Sequence, residues 1–538
     1  MTRALALALT VLAAPALAKP PRLTLFIVVD ALGTDLLLRS RPQLHAGLAQ
    51  LIDRGAFYPD VHYEQGQVAT APGHSVLATG AYPWRTGVVG NRMMNRSTGK
   101  DEPVFWDPAH PALDAPPGVE DVSPEALLAE TLSDHLRLFT GGRGKAIALS
   151  GKARAAICLA GHLGQAFWFN EQVGKLVTGT AYTKELPSWV RILNDRRLPD
   201  AAFSTEWTLA LPSKEYLGED DRPFEVPSFG LRRVFPHPLN GGAPSPGPPS
   251  YAAFASSPAA NDLLVQAAKA AILAENLGKD DVPDILSISF SATDLIYHQF
   301  GPYSWEMQDA LVRLDRQIGE LLAAAEKAAG GRQNLLVVLS ADHGGAALPE
   351  EWIAAGVNAV RVKPSVLRQG LAQELQGRFG APLLMGIVDR DVFLNARAIA
   401  DKKLDPAVVR RAAADWLARQ PGIALAVTAD ELDSGQELGG FGPALRRNHY
   451  PGRSGEVTFV LRPFAVLMEG DTGTTHGEPY AYDNQIPLVL YGKNVRPGLY
   501  RMQVHASDVA PTAAMQMEMG APASAEGEPR VESAVQGR

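Results

Sequence analysis

The sequence predicts an α/β fold: a mostly parallel central sheet with helices on both faces, resembling no simple repeat, and a small α+β unit inserted in it. Three observations carry this. Continuous apolar runs occur at 25–29, 285–290 and 335–339, and they lead to Asp30, Asp294 and Asp342-His343. Runs this apolar and this rich in branched side chains read as strands buried on both faces, which a parallel sheet between helix layers provides. At 538 residues and 46% hydrophobic content, the chain can bury a large core and carry insertions.

Taken in order, residues 1–18 read as a secretory signal: Arg3, an Ala/Leu/Val run, then Ala16-Leu17-Ala18 as the cleavage site. The run falls short of the roughly 20 residues that a membrane span needs, and no later segment approaches that length. The mature chain is therefore expected to be periplasmic or secreted, with no membrane span, and to act as a monomer. After the Asp30 strand, 44–54 reads as an amphipathic helix and 56–62 as a short strand. They lead to Thr70-Ala71-Pro72-Gly73-His74. A threonine before Ala-Pro-Gly reads as a helix N-cap, and a helix start suits an anion. The Thr70 hydroxyl could then be a cap, a phosphate contact or a nucleophile, and the cap is the commonest of these.

Ser123-Pro124-Glu125 opens a helix to about residue 139, and a strand at 145–149 delivers Lys152 and Arg154. Such a pair is usually solvated, but its place just after a strand puts it at the sheet edge. Cys158, the only cysteine, stands in an apolar run that reads as a buried strand; no intrachain disulfide is possible, and an inert thiol is expected. Segments 167–170 and 175–178 flank Gly174 as a hairpin, and 236–250, rich in Pro and Gly, reads as a surface loop. Helices are expected at 261–277 and 305–329, the second stopped by Gly330-Gly331. Between His343 and His476, helices at 364–379 and 406–420 alternate with strands at 384–395 and 423–428. We assign 356–455 to an inserted α+β cap, with 19–355 and 456–538 as the main domain. His449 in the insert reads as a surface histidine. The chain re-enters the sheet near 486–491, and 505–517 is the last helix.

Ligands gather beyond the carboxyl ends of strands in open α/β sheets. Asp30, Asp294 and Asp342 should converge there, and they would repel one another without cations between them. Asp294 and His298, four apart, share one face of a helix. His343 follows Asp342, and His476 lies in the turn Thr474-Thr475-His476-Gly477. Three acids and three imidazoles make two three-ligand sets, and such donors without cysteine suit zinc in open sites. The net charge of −8 argues against a nucleic-acid surface, so attraction of an anion must be local.

These motifs resemble the alkaline phosphatase superfamily, and within it the phosphate-irrepressible periplasmic enzymes that use a threonine nucleophile. The matching pieces are Asp30, Thr70 in Thr-Ala-Pro-Gly-His, Asn91 closing Gly87-Val88-Val89-Gly90-Asn91, Lys152 and Arg154, Asp294 with His298, Asp342-His343-Gly344, and His476. The resemblance implies two Zn2+ per chain. Asp294, His298 and His476 would hold one; Asp30, Asp342, His343 and the Thr70 oxygen would hold the other. It implies hydrolysis of small phosphate monoesters through a phospho-threonine, with Asn91, Lys152 and Arg154 binding substrate. Tyr297 departs from the family's usual glycine before the histidine, which puts the local turn in question. The rival readings are a phosphodiesterase or nucleotide pyrophosphatase, from the branch that lacks the basic pair, and an inactive zinc- or phosphate-binding protein. An arylsulfatase would need Cys or Ser where Thr70 stands.

Overall fold

The run at 23–29 forms the strand Leu23–Val29, and all seven residues are buried. A strand this apolar needs cover on both faces, and it takes the centre of an 11-stranded sheet. In this computed structural model, which describes residues 19–116 and 119–535, it pairs in parallel with Asp284–Phe290 on one side and Leu335–Ser340 on the other. Ala146–Ser150 and Gln165–Asn170 continue the parallel order. Antiparallel pairings flank these five: Gln485–Gly492 reverses at one margin and pairs with Ala56–His62 beyond it, and Lys175–Gly179 reverses at the other. The sheet is thus parallel in the middle and mixed overall. Helices Pro258–Ala274 and Trp305–Ala329 pack together against it, as do Thr70–Thr79 and Ala153–Ala160. The expected signal segment lies outside the described residues. Among those residues, no helix is long and apolar enough to cross a membrane.

Register places the site. Val28 is level with Ser289 and Ser340, and Ser289 with Ser150. Asp30, Ser291, Asp342 and Lys152 each lie two residues further on, so they leave the sheet along one edge. Asp294 follows on the helix Ala292–Phe300, which starts at that edge.

Residues 360–467 carry a second four-stranded antiparallel sheet, ordered Leu384–Val388, Asp391–Leu394, Val457–Leu461, Ile423–Thr428. Helices Pro364–Phe379 and Pro406–Ala418 close over it around Leu371, Leu375, Val409 and Leu417, a core separate from that of the main sheet. Strand Val457–Leu461 lies past the expected boundary at 455, yet it pairs within this sheet.

Several local expectations differ from the structure. Segment 384–395 is a hairpin rather than one strand; it turns at Asp389-Arg390, with Asp389 at φ 49°, a conformation Asp tolerates. Segment 123–139 breaks into a 3-10 turn, Pro124–Ala126, and a helix, Leu132–Phe139. Thr131 and Asp134 form a capping box that restarts the chain. Cys158 is buried as expected, but in a helix rather than a strand. Burial pushes its thiol well above the usual range. His449 is largely covered, its side chain 9% exposed.

The expected surface loop at 236–250 holds a fully buried His237, whose Nε2 lies 3.0 Å from Glu306 Oε1. Glu225 is buried nearby, and burial together with the Glu306 charge pushes its carboxyl up to about 9, from an ordinary value of 4.5. The folded chain therefore binds a proton there that the unfolded chain releases above about pH 4.5. That contribution to stability falls as pH rises through the window from 4.5 to 9. Glu225→Gln removes the burden, so its melting temperature should exceed wild type by roughly a few degrees at pH 9 and change little at pH 5. Differential scanning calorimetry at both pH values checks this; equal shifts at the two would refute it.

Candidate active site

Helix Thr70–Thr79 is buried along its whole length, and its N-cap is Ala69, with no side-chain cap. Thr70 therefore does not take the expected capping role. Asn91 supplies the cap instead, its Oδ1 accepting from the Ala71 amide at 2.8 Å. The Asn91 amide nitrogen is left to donate elsewhere, and the Thr70 hydroxyl lies 3.5 Å from Arg154 Nη2. Gly73 is required where it stands, because a Cβ there would meet the Asp342 carbonyl oxygen at 2.2 Å. The threonine helix thus lies directly against the chain that carries Asp342. His74, one turn after Thr70, bridges them: its Nδ1 is 2.8 Å from Thr70 O and 3.2 Å from Asp342 Oδ2. His74 was not singled out in the sequence, although its i, i+4 spacing from Thr70 was the available signal.

The three histidines of the cluster are oriented alike. A carbonyl oxygen only accepts, so the ring nitrogen facing it carries the proton. His298 Nδ1 donates to Thr474 O at 2.9 Å, His343 Nδ1 to Gly344 O at 2.8 Å, and His476 Nδ1 to Val68 O at 2.9 Å. All three Nε2 atoms face Asp294 Oδ1, at 3.3 Å from His298, 3.7 Å from His476 and 3.9 Å from His343, although Asp30 Oδ1 lies nearer His343, at 3.2 Å. Two groups have donor atoms within 4.8 Å of one another: Asp294, His298 and His476, and Asp30, Asp294 and His343. Asp294 belongs to both. Asp342 Oδ2 flanks the second group, 3.6 Å from His343 Nε2.

These donors suit cations. Asp30 Oδ1, Asp294 Oδ1 and His343 Nε2 are buried and make no hydrogen bond. Unsatisfied buried acceptors are costly, and three converging on one point match what a metal would use. Lys152 reaches into the same cluster, its Nζ 2.5 Å from both Asp30 Oδ2 and Asp294 Oδ2. Burial alone would raise Asp30, but Lys152 and His343 together outweigh it and hold the carboxyl well below the usual range. Asp294 is held down in the same way by His298 and Lys152, against burial. Asp342 goes the other way, raised by burial and by Asp30. Burial would lower His343, yet Asp342 and Asp30 push it up to about 10. His476 is pushed well down by burial and by the His343 charge.

Tyr297 does not disturb the turn, because helix Ala292–Phe300 runs through it unbroken. Its ring fills space beside Gly345, where a Cβ would stand 2.4 Å from it. Its hydroxyl lies 2.8 Å from Thr475 O and 3.1 Å from Ala346 O, tying the two ligand loops together. Asp483 supports the same loops, its Oδ2 accepting from the Gly477 and Glu478 amides at 2.8 Å each. A cavity of about 940 Å³ adjoins the cluster, lined by Asn91, Lys152 and Arg154 at one end and by Phe105, Trp106 and Glu171 beyond.

The type I phosphodiesterase / nucleotide pyrophosphatase family matches residues 24–481, and the chain belongs to it. Within that class, the chain is similar to alkaline phosphatase PhoV of Synechococcus elongatus, 29% identical over 517 residues, covering 94% of this chain and 92% of that one. It is also 29% identical over 522 residues to alkaline phosphatase PafA of Elizabethkingia meningoseptica, covering 95% and 94%. The crystal structure of PafA superposes with a TM-score of 0.91 at 28% identity, over 97% of this chain and 100% of PafA. A Myroides odoratus protein named a calcium-transporting ATPase is 32% identical, covering 95% and 94%.

Proposed function

We propose that this chain is a secreted, two-zinc phosphomonoesterase of the alkaline phosphatase type, with Thr70 as nucleophile. The observation that carries this reading is the convergence of Asp30, Asp294, His298, Asp342, His343 and His476 at one sheet edge, beside a hydroxyl that caps nothing. Asp294, His298 and His476 would hold one zinc; Asp30, Asp342 and His343, with the Thr70 oxygen, would hold the other. Bound there, a cation pair supplies charge that eases ionisation of a hydroxyl and offsets that of a phosphate ester.

The chain's own residues supply the rest. Thr70 Oγ attacks phosphorus in line as the ester P–O bond breaks, and the departing alcohol takes up a proton. Water then displaces Thr70 from the phospho-threonine, releasing inorganic phosphate and restoring the hydroxyl. Arg154 can grip two phosphoryl oxygens, and the free amide of Asn91 can donate to a third. Its fixed partner at the Ala71 amide keeps that donor aimed. The cavity beyond Arg154 is large enough for the alcohol of a small ester. The separate sheet and core at 360–467 support an inserted α+β unit slightly longer than 356–455. The apolar segment before Ala18 supports export.

The family description favours a second reading, a phosphodiesterase or nucleotide pyrophosphatase. Arg154 and Lys152 weigh against it, since a monoester dianion carries oxygen charge that a diester lacks. Turnover of 4-nitrophenyl phosphate and of bis(4-nitrophenyl) phosphate by zinc-replete protein separates the two. A higher kcat/KM for the monoester, with both activities lost to a chelator, is expected. A clear diester preference would establish the second reading, and turnover of neither would leave a binding protein.

A further inference from the structure

The inserted unit does more than stand beside the site: two of its side chains hold the segments that present site residues. The hairpin turn Asp389-Arg390 delivers Arg390, whose side chain is 8% exposed, to the loop after His476. Its Nε donates to Glu478 and its Nη2 to the His476 carbonyl, at 3.3 Å for the latter. Gly477, at φ 126°, leaves room for the guanidinium; a Cβ there would meet Arg390 Nη1 at 2.5 Å. Glu478 returns the contact, its Oε2 accepting from the Leu461 amide of the insert's own sheet at 3.0 Å. On the other side, Asn448 Oδ1 accepts from the Gln67 amide at 3.3 Å, and its Nδ2 donates to Val89 O at 3.1 Å. Gln67 precedes Val68, whose carbonyl fixes the His476 ring, and Val89 lies two residues before Asn91.

We propose that Arg390 and Asn448 are positioning residues, and that through them the inserted unit is a fixed wall of the active site rather than a movable lid. This rests on the two-zinc phosphatase reading above. Arg390 sets the His476 backbone while Val68 sets the His476 ring, so the ligand nitrogen is aimed from two sides. A buried guanidinium–carboxylate pair is a strong, directional tie, and it breaks only by leaving a charge unpaired. Asn448 spans the chain before Thr70 and the chain before Asn91, so it fixes the distance between nucleophile and phosphate donor. Groups that orient metal ligands from behind typically govern metal affinity by a factor of about 10 to 100.

Full-length, zinc-loaded protein tests this with two readouts: zinc release to a chromogenic chelator, and competitive inhibition by inorganic phosphate. Arg390→Met combined with Glu478→Gln removes both members of the pair together, and should release one zinc about 10-fold faster than wild type. Asn448→Ala should weaken phosphate inhibition on the order of 10-fold, as expected for a displaced donor. Both are compared at a temperature where the far-UV circular dichroism matches wild type, which a loss of fold would not satisfy. If the double variant does not fold, Arg390→Lys, which keeps the charge but cannot span Glu478 and the His476 carbonyl, should still speed release. Zinc release and phosphate inhibition unchanged from wild type in these variants overturn the proposal. Wild-type protein that retains no zinc would sink the phosphatase reading and this inference together; wild type that retains zinc, with Arg390 variants releasing it no faster and Asn448→Ala inhibited by phosphate equally, sinks the inference alone.

Discussion

Thr70→Ala is expected to cut turnover of an aryl phosphate by a factor on the order of 10⁵ or more, the scale seen when a covalent nucleophile is removed. The substitution should be nearly silent for folding. Thr70 caps no amide, Ala69 holds the N-cap position, and Asn91 already satisfies the Ala71 amide. Alanine suits the helix, and the histidine and aspartate donors are untouched, so zinc content should remain close to wild type. Thr70→Ser restores a hydroxyl at the same place and should recover part of the rate. Steady-state kinetics with metal analysis on the same preparations checks both points. Near-normal activity in the alanine variant would remove Thr70 from the chemistry.

Arg154→Ala should lower kcat/KM for a phosphate monoester by about 10² to 10³, the usual loss for one well-placed donor to a developing anion. The loss for a diester should be much smaller, because esterification removes the oxygen charge that the guanidinium would meet. Lys152→Ala should also cost monoester turnover more than diester turnover. It is the less clean test, since Lys152 Nζ sits between Asp30 and Asp294 and its removal alters both carboxylates. Equal losses for the two ester classes in Arg154→Ala would mean that this residue does not read the monoester's charge.

The central strands at 23–29, 284–290 and 335–340 were legible because each is a short, strongly apolar run, and all of them are buried along their length. Helices Trp305–Ala329 and Pro364–Phe379 were legible from their ends, through Gly330 and Gly380 in the left-handed conformation and a proline in the first turn of the second. The donor residues were legible because they hang from strand ends or stand in short motifs. Other features depend on tertiary partners. The apolar run at 155–160 around Cys158 suits strand or helix alike, and as a helix it packs against the Thr70 helix. The hairpin at 384–394 turns at Asp389-Arg390 without a glycine, so the bend is marked only by charged residues between two apolar runs. Lys152 lies between two acids 122 and 142 residues away in sequence, a contact that no local pattern shows. The capping role given to Thr70 passed to Asn91, 20 residues on from the amide it satisfies, a partner no local pattern announces.

The most direct test of this account is anomalous scattering at the zinc edge from a crystal of the native protein. It predicts two peaks per chain. One lies among Asp294, His298 and His476, and the other among Asp30, Asp342 and His343, within reach of the Thr70 oxygen. A single peak, or peaks lying outside these two groups of donors, would contradict it.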